Sequence, residues 1–313
     1  MAADLDLLIL GDANPDLVLH GGDVVPAFGQ AEHLVDAATL TVGGSGAILA
    51  CGAAKLGLRV AISTVVGDDL FGRFMRDALS EAGVDTSGIG VDEVMETGIT
   101  VVLSGDDDRA ILTMPGTIAG LRSELIDPSL LARARHVHVS SYYLQTALAP
   151  ALPARFDEIH AAGATTSLDP NWDPTGLWDG GLLDLLPKVD VFLPNAMEAT
   201  RSAHTSDLEG AVRALAARAR LVVVKNGDRG ALAGEGDTVY RVDGMLTQAV
   251  DTTGAGDSFD AGFLAAWLNG EPVDRALAIA NACGSLSTRA MGGVNAQPTM
   301  DEALALLAEG SAA

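Results

Sequence analysis

Short apolar runs rich in β-branched residues alternate along this chain with longer segments of helical apolar spacing. The short runs are Leu5–Leu10, Arg59–Val65, His136–Val139, Ala164–Leu168, Val189–Leu193 and Leu221–Val224. The helical segments include Ala47–Leu56, Phe71–Ala82, Leu208–Arg218, Ala255–Leu268 and Val273–Thr288. This alternation predicts an α/β fold, a mostly parallel central sheet flanked by helices. Polar or Gly/Pro-rich clusters follow several of the strands: GDANPD, SSYY, DPNWDP, PNAME and KNGDRG. They fall at the carboxyl ends of strands, where open α/β sheets place ligands because loops and helix N-termini converge there.

Two regions depart from the pattern. His20–Val42 and Gly98–Met114 alternate apolar and polar residues between turn signals, as half-exposed antiparallel strands do. The second reads as a hairpin with Gly105–Asp108 at its tip and the DDD run at 106–108 solvated. About residues 17–42 and 97–115 are therefore expected to form a small β-sheet lid on one domain spanning 1–313. Such a sheet can cover a cleft and carry a homodimer contact.

Composition narrows the function classes. With 48% hydrophobic and 19% charged residues over 313 positions, the chain is too apolar for disorder and long enough to bury a large core. Its 19 Lys+Arg against 42 Asp+Glu give a net charge of −23, and lysine occurs only at Lys55, Lys188 and Lys225. Phosphate-backbone binding needs clustered basic residues, so nucleic-acid partners and a polybasic membrane anchor are not expected. Ile48–Val66, the longest mostly apolar stretch, is broken by Lys55, Arg59 and glycines, and makes a poor membrane span. The N-terminal segment carries Asp4 and Asp6 and no basic region, unlike a secretory signal. Cys51 and Cys283 lie in Ala/Gly-rich surroundings and read as buried free thiols. A soluble cytoplasmic protein is expected.

The most informative segment is DTTGAGDSFD, Asp251–Asp260. Gly254, Ala255 and Gly256 have little or no side chain, and Phe259, Phe263, Leu264 and Trp267 follow at helical spacing. A glycine-rich turn opening a helix presents unpaired N–H groups at the positive end of the macrodipole, a pocket suited to phosphate. Asp257 stands in the first helical turn. A carboxylate there does not help ground-state phosphate binding, but it suits a base that takes the proton of an attacking hydroxyl. Its structural alternative is a first-turn Asp favouring the helix dipole, worth roughly 0.3–1 kcal/mol.

DTTGAGDSFDAGF resembles the C-terminal signature of the ribokinase-like (PfkB) carbohydrate kinases. VGGSGAILACGAAKLG over Val42–Gly57, with VVGDDLFG after it, is similar to that family's N-terminal signature. Gly11–Asp16 and Asn195–Glu198 fall in family order, so the resemblance spans nearly the whole chain. It implies a ribokinase-like three-layer sandwich with a small β-sheet lid, and an ATP-dependent sugar kinase. In that reading Gly254, Ala255 and Gly256 form the anion hole for the γ-phosphate, and Asp257 deprotonates the sugar hydroxyl for direct in-line transfer. Phosphoryl transfer asks for positioning and charge stabilisation, so no Walker-type lysine loop is required. Asn195 and Glu198 match the family's Asn-x-x-Glu motif, linked to Mg²⁺ and phosphate through water. They also read as a helix N-cap with a capping-box glutamate. For nucleotide the resemblance points to Lys225, Gly227, Gly230 and Asn281. Relatives often carry Thr at the position of Lys225, which reaches either a phosphate or solvent. Asp251 and Thr253, with the Gly292–Gly293 turn, resemble a monovalent-cation (K⁺) site.

On the acceptor side, Asn14 and Asp16 match residues that hold sugar hydroxyls, and Gly43 and Gly44 let backbone approach the substrate. Asp16 also reads as an Asx turn beside Pro15; Asp12 suits either role. Departures from the family pattern bear on the substrate. Ser45 and Ile48 stand where ribokinases carry Lys and Asn, and a sugar-binding Glu is replaced near Ser141–Tyr142. The segment Asp169–Asp173 has an acid where some relatives have Arg. A phosphorylated or carboxylated acceptor demands Arg or Lys. These losses point to a neutral monosaccharide, with Ile48 and Tyr142 suiting its apolar face and Asp169 and Asn171 counted among the binding residues. A nucleoside is the alternative acceptor, and Arg109 reads as an exposed hairpin charge. A catalytically silent sugar-binding protein is a third reading, which the intact Asp257 and its glycines oppose. His136 and His138 read as alternating core and surface positions of a strand.

Overall fold

A computed structural model describes residues 4–21, 24–26, 28–105, 109–245 and 247–310. Among them, one sheet contains β1 (Leu7–Leu10), β4 (Val60–Gly67), β5 (Asp85–Asp92), β8 (His136–Val139), β9 (Thr165–Leu168), β10 (Val191–Phe192), β11 (Leu221–Lys225), β12 (Ala231–Glu235) and β13 (Thr238–Val242). A second contains β2 (Asn14–His20), β3 (Ala37–Gly43), β6 (Ile99–Ser104) and β7 (Arg109–Met114). The large sheet runs β13-β12-β11-β10-β9-β8-β1-β4-β5 and is parallel except for the β11–β12 and β12–β13 pairs.

All six expected strands are present in it. Their side chains are buried on both faces: Leu7 and Ile9 enter one apolar layer, Leu8 and Leu10 the other. Continuous apolar runs are what a parallel sheet covered on both sides requires. The first layer holds α1 (Ser45–Lys55), α2 (Leu70–Glu81), α8 (Ala255–Leu268), α9 (Val273–Ser287) and α10 (Met300–Gly310). The second holds α3 (Pro128–Arg133), α4 (Leu152–Ala161), α5 (Leu182–Leu185), α6 (Ala196–Ser202) and α7 (Leu208–Ala216). Among the described residues no helix is long and apolar enough to cross a membrane. Cys51 and Cys283 are buried and free.

The two departing regions do pair with each other, in the order β3-β2-β6-β7, with β2–β6 parallel and the outer pairs antiparallel. Their boundary needs correction, because β2 starts at Asn14, opposite Gly43. Asp16 is therefore a strand residue facing Thr41 and Thr100, which removes its Asx-turn reading. Asp106–Asp108, read as the hairpin tip, lie outside the described residues. The alternation assigned to His136 and His138 is also overturned, since both side chains are fully buried between the helical layers. Ser167 Oγ lies 2.7 Å from His136 Nε2 and from His138 Nδ1, and burial pushes both imidazoles well below their usual range.

The packing of α8 on α9 needs a bare backbone at Gly262, where an added Cβ would lie 2.8 Å from Cys283 Cβ and Sγ. Overpacking a filled core costs about 1–3 kcal/mol. Gly262→Val is expected to lower the chemical-denaturation midpoint by a corresponding amount; an unchanged midpoint would show that the α8–α9 contact is slack.

Candidate active site

Several helices that begin at the carboxyl edge of the sheet have their first amides satisfied. Asp12 accepts from Ser45 N and Gly46 N at the head of α1, at 3.2 and 3.1 Å. Asp69 caps α2, and Asn195 caps α6. The exception is α8, which starts at Gly254 (φ 71°, ψ 5°) with no side chain capping it. Its first N–H groups have no partner within the helix, as at any helix start; Ala255 N turns back to Thr252 O at 3.3 Å, and the amides of Gly256 and Asp257 are left for a ligand. A Cβ on Gly254 would lie 2.7 Å from Gly293 Cα and 2.8 Å from Gly293 O, so the left-handed corner admits only glycine. Asp251 braces the approach. Its Oδ1 accepts from Thr253 N (2.9 Å) and Thr253 Oγ1 (2.7 Å), and its Oδ2 from Gly292 N (2.8 Å).

This corner separates two cavities. The larger, about 600 Å³, is lined by Thr253, Gly254 and Asp257 together with Asp12, Asn14, Asp16, Gly44, Ser45, Ile48 and Asn171. Thr100, Val102, Ile111 and Thr113 of the second sheet complete its wall. The smaller, about 300 Å³, is lined by Ala255 and Gly256 with Gly227, Gly230, Asn281 and the stem of Lys225. Asp257 thus faces one cavity while the next-door residues of its own turn face the other.

Burial raises the Asp257 carboxyl to about 8, helped by the charges of Asp169 and Asp12 and opposed by Lys225 and a hydrogen bond with Ser45. A carboxyl held there is suited to exchanging a proton near neutral pH.

A family model, pfkB family carbohydrate kinase, matches residues 5–300. The chain belongs to the pfkB family of carbohydrate kinases. It is 34% identical over 310 residues to an ATP-dependent ribose-1-phosphate kinase of Halopiger xanaduensis, covering 97% of this chain and 98% of that one. To a fructokinase of Salmonella typhimurium it is 33% identical over 273 residues, 82% of this chain and 88% of the relative. The crystal structure of a PfkB protein from Polaromonas sp. JS666 superposes with a TM-score of 0.80 at 28% identity, over 96% of this chain and 99% of that one. The three-layer ribokinase-like architecture and an ATP-dependent sugar kinase activity follow.

Within this kinase, Asn14, Asp16, Gly44, Ile48, Asn171, Gly254 and Asp257 meet around the larger cavity, as the sequence suggests. Gly43 lies behind Asp16, where a Cβ would come 2.0 Å from Asp16 Oδ1. Gly227, Gly230 and Asn281 meet at the smaller cavity with Ala255 and Gly256.

Three residues behave differently from expectation. Tyr142 is buried away from the larger cavity, its hydroxyl donating to Gly180 O at 2.6 Å, because Ser141 takes a left-handed turn (φ 55°) at the strand end. Asp169 does not line that cavity either, because Lys225 Nζ holds its Oδ2 at 2.6 Å. Lys225 does not stretch into solvent: its side chain is 11% exposed, and it lines the smaller cavity. Its ammonium also donates to Leu193 O at 2.6 Å and Asp260 Oδ2 at 2.8 Å.

Asn195 and Glu198 form the capping box. Glu198 N donates to Asn195 Oδ1 (2.9 Å) and Asn195 N to Glu198 Oε2 (2.8 Å). Burial and the charge of Asp169 raise Glu198 to about 7. The contributions of Thr100, Thr113 and Trp172 to the larger cavity escaped sequence reasoning. For the two threonines the strand alternation was the available signal; for Trp172 there was none.

An unfolded Asp releases its proton near 3.8, whereas Asp257 keeps it to about 8. Between those values the native state binds more protons, so this group lowers stability as pH rises. Asp257→Asn is expected to raise Tm, by about 2 °C for each kcal/mol relieved, with the gain growing up to about pH 8. Calorimetry across pH checks this; a gain that is the same at pH 4 and pH 9 would contradict it.

Proposed function

We propose that the protein transfers the γ-phosphoryl group of ATP to a hydroxyl of a neutral monosaccharide, with Asp257 as general base and the Gly254–Gly256 amides as anion hole. The observation that carries this reading is the uncapped corner that forms the wall between two cavities, with the carboxylate on the larger side. ATP lies along Gly227, Gly230 and Asn281 with its γ-phosphate against Gly256. The acceptor lies over Asn14 and Asp16, with Gly44 and Asn171 alongside. Asp257 takes the proton of the attacking hydroxyl, the sugar oxygen bonds to the γ-phosphorus in line, and the bond to the β-phosphate oxygen breaks to release ADP. The amides and the helix dipole meet the charge that develops on the phosphoryl oxygens.

Among the described residues no three His, Cys, Asp or Glu side chains are grouped to ligate a metal ion directly, which leaves a water-mediated Mg²⁺ carried by the nucleotide. Magnesium, when bound, neutralises β- and γ-phosphate oxygens, and Asn195 and Glu198 would hold it through water. A K⁺ ion beside Asp251 and Thr253 would brace the same corner. The second sheet acts as a lid over the acceptor. Its exposed Leu112 and Met114, on the face away from the cavity, offer a surface for a second copy in the cytoplasm.

The neutral acceptor is supported by the larger cavity itself, which among the described residues has no Lys or Arg in its lining and three carboxylates, Asp12, Asp16 and Asp257. A phosphorylated pentose is a second reading, favoured by the Halopiger relative's name. ADP release with fructose, ribose, nucleosides and ribose 1-phosphate decides between them. The highest kcat/KM is expected for a neutral sugar. A preference for ribose 1-phosphate would overturn neutrality and leave the chemistry intact, and no ADP with any acceptor would favour a silent binding protein. Asp257→Asn is expected to bind ATP normally yet lose about 10²–10⁴ in turnover; near-normal turnover removes the base. Glu198→Gln should raise the Mg²⁺ concentration needed for half-maximal rate, and an unchanged requirement would leave Glu198 a capping role only.

A further inference from the structure

We propose that Lys225 is a positioning residue for phosphoryl transfer, its buried ammonium pinning the first turns of α8 to the strand ends and offsetting the carboxylates around Asp257. The inference rests on Asp257 being the base.

The geometry is specific. Lys225 ends β11, and its stem runs beneath the phosphate corner: a Cβ placed on Gly256 would lie 3.6 Å from Lys225 Cδ and 3.8 Å from Cε. The side chain is 11% exposed, and the ammonium meets Asp169 at the end of β9, Leu193 O just past β10, and Asp260 on α8. An ammonium has three hydrogens, and three partners already take them, so none is left for a phosphate oxygen. Asp260 follows Asp257 by one helical turn, so the cation holds the helix that carries the base.

Charge makes the arrangement more than a strut. Asp257 feels Asp12 from the loop after β1, Asp169 from β9 and Lys225 from β11. Asp260 on its own helix and Glu198 on α6 belong to the same buried group, and Asp169 and Asp260 also hydrogen-bond each other. Lys225 is the cation in this set. Without it the remaining carboxylates favour the protonated base, and the corner loses its anchor to the sheet.

The test compares wild type, Lys225→Met and the charge-balanced Lys225→Met/Asp169→Asn in kcat, KM for ATP and the pH profile of kcat/KM. In Lys225→Met, kcat at neutral pH should fall about tenfold or more as the acidic limb moves up by about one pH unit, with KM for ATP within about twofold. The double variant should bring the limb back towards its wild-type position. A large rise in KM for ATP with an unmoved limb would make Lys225 a nucleotide contact and overturn the proposal. An unmoved limb with unchanged kcat would reduce it to packing and overturn it equally. Should Lys225→Met fail to fold, the double variant decides alone: a limb at the wild-type position supports the proposal, and a limb raised by a unit or more overturns it. Full turnover in Asp257→Asn would instead remove the base, a failure separate from that of Lys225.

Discussion

At Gly254 the backbone turns left-handed and α8 begins with no capping side chain, and the two cavities meet at that corner. It is held from three directions. Asp251 ties the preceding loop to Gly292, Gly293 and Ile48 press against the corner where a side chain would sit, and Lys225 anchors the following turn through Asp260. Each constraint acts on a few atoms, and together they keep an energetically unfavourable arrangement, open donors beside a buried carboxyl, from relaxing. A capping side chain like Asp69 on α2 would occupy the donors that the proposed anion hole needs.

The site is rich in acid and poor in base, matching the chain's net charge of −23. In the larger cavity that balance disfavours an anionic acceptor and leaves the proton on Asp257 to higher pH than usual. In the proposed reading the nucleotide adds negative charge on the far side of the corner, so a divalent cation arriving with it has an electrostatic role. The same crowding that keeps Asp257 protonated in the resting protein makes it a strong proton acceptor once ionised. Stability and chemistry therefore pull in opposite directions at this residue.

Much of this was legible in the residues because burial leaves a pattern. Strands covered on both faces read as unbroken apolar runs, as Leu7–Leu10 and Leu221–Val224 do. The edge strand Asp85–Asp92 (DTSGIGVD) and the hairpin strand Thr238–Val242 bury less and carry no such signal. The start of β2 was hidden because GDANPD looks like a loop, although Asn14 and Asp16 are pleated into the second sheet. The glycine corner ahead of α8 was visible since its glycines and Asp257 are contiguous. The fate of Lys225 was not. Its two acidic partners lie 56 and 35 residues away along the chain, and only the fold brings them together. Tyr142 was misplaced for a related reason, one left-handed residue at Ser141 redirecting the segment after it.

In the proposed reaction the Asp257 carboxylate touches the attacking hydroxyl while the neighbouring amides hold the γ-phosphate. A crystal structure of Asp257→Asn with a neutral sugar, Mg²⁺ and a non-hydrolysable ATP analogue tests it directly. One sugar hydroxyl is expected within about 2.6–3.2 Å of the residue 257 side chain, in line with a γ-phosphate seated on the amides of Gly254, Ala255 and Gly256. A sugar bound with its nearest hydroxyl remote from residue 257, or a γ-phosphate held away from those amides, would contradict it.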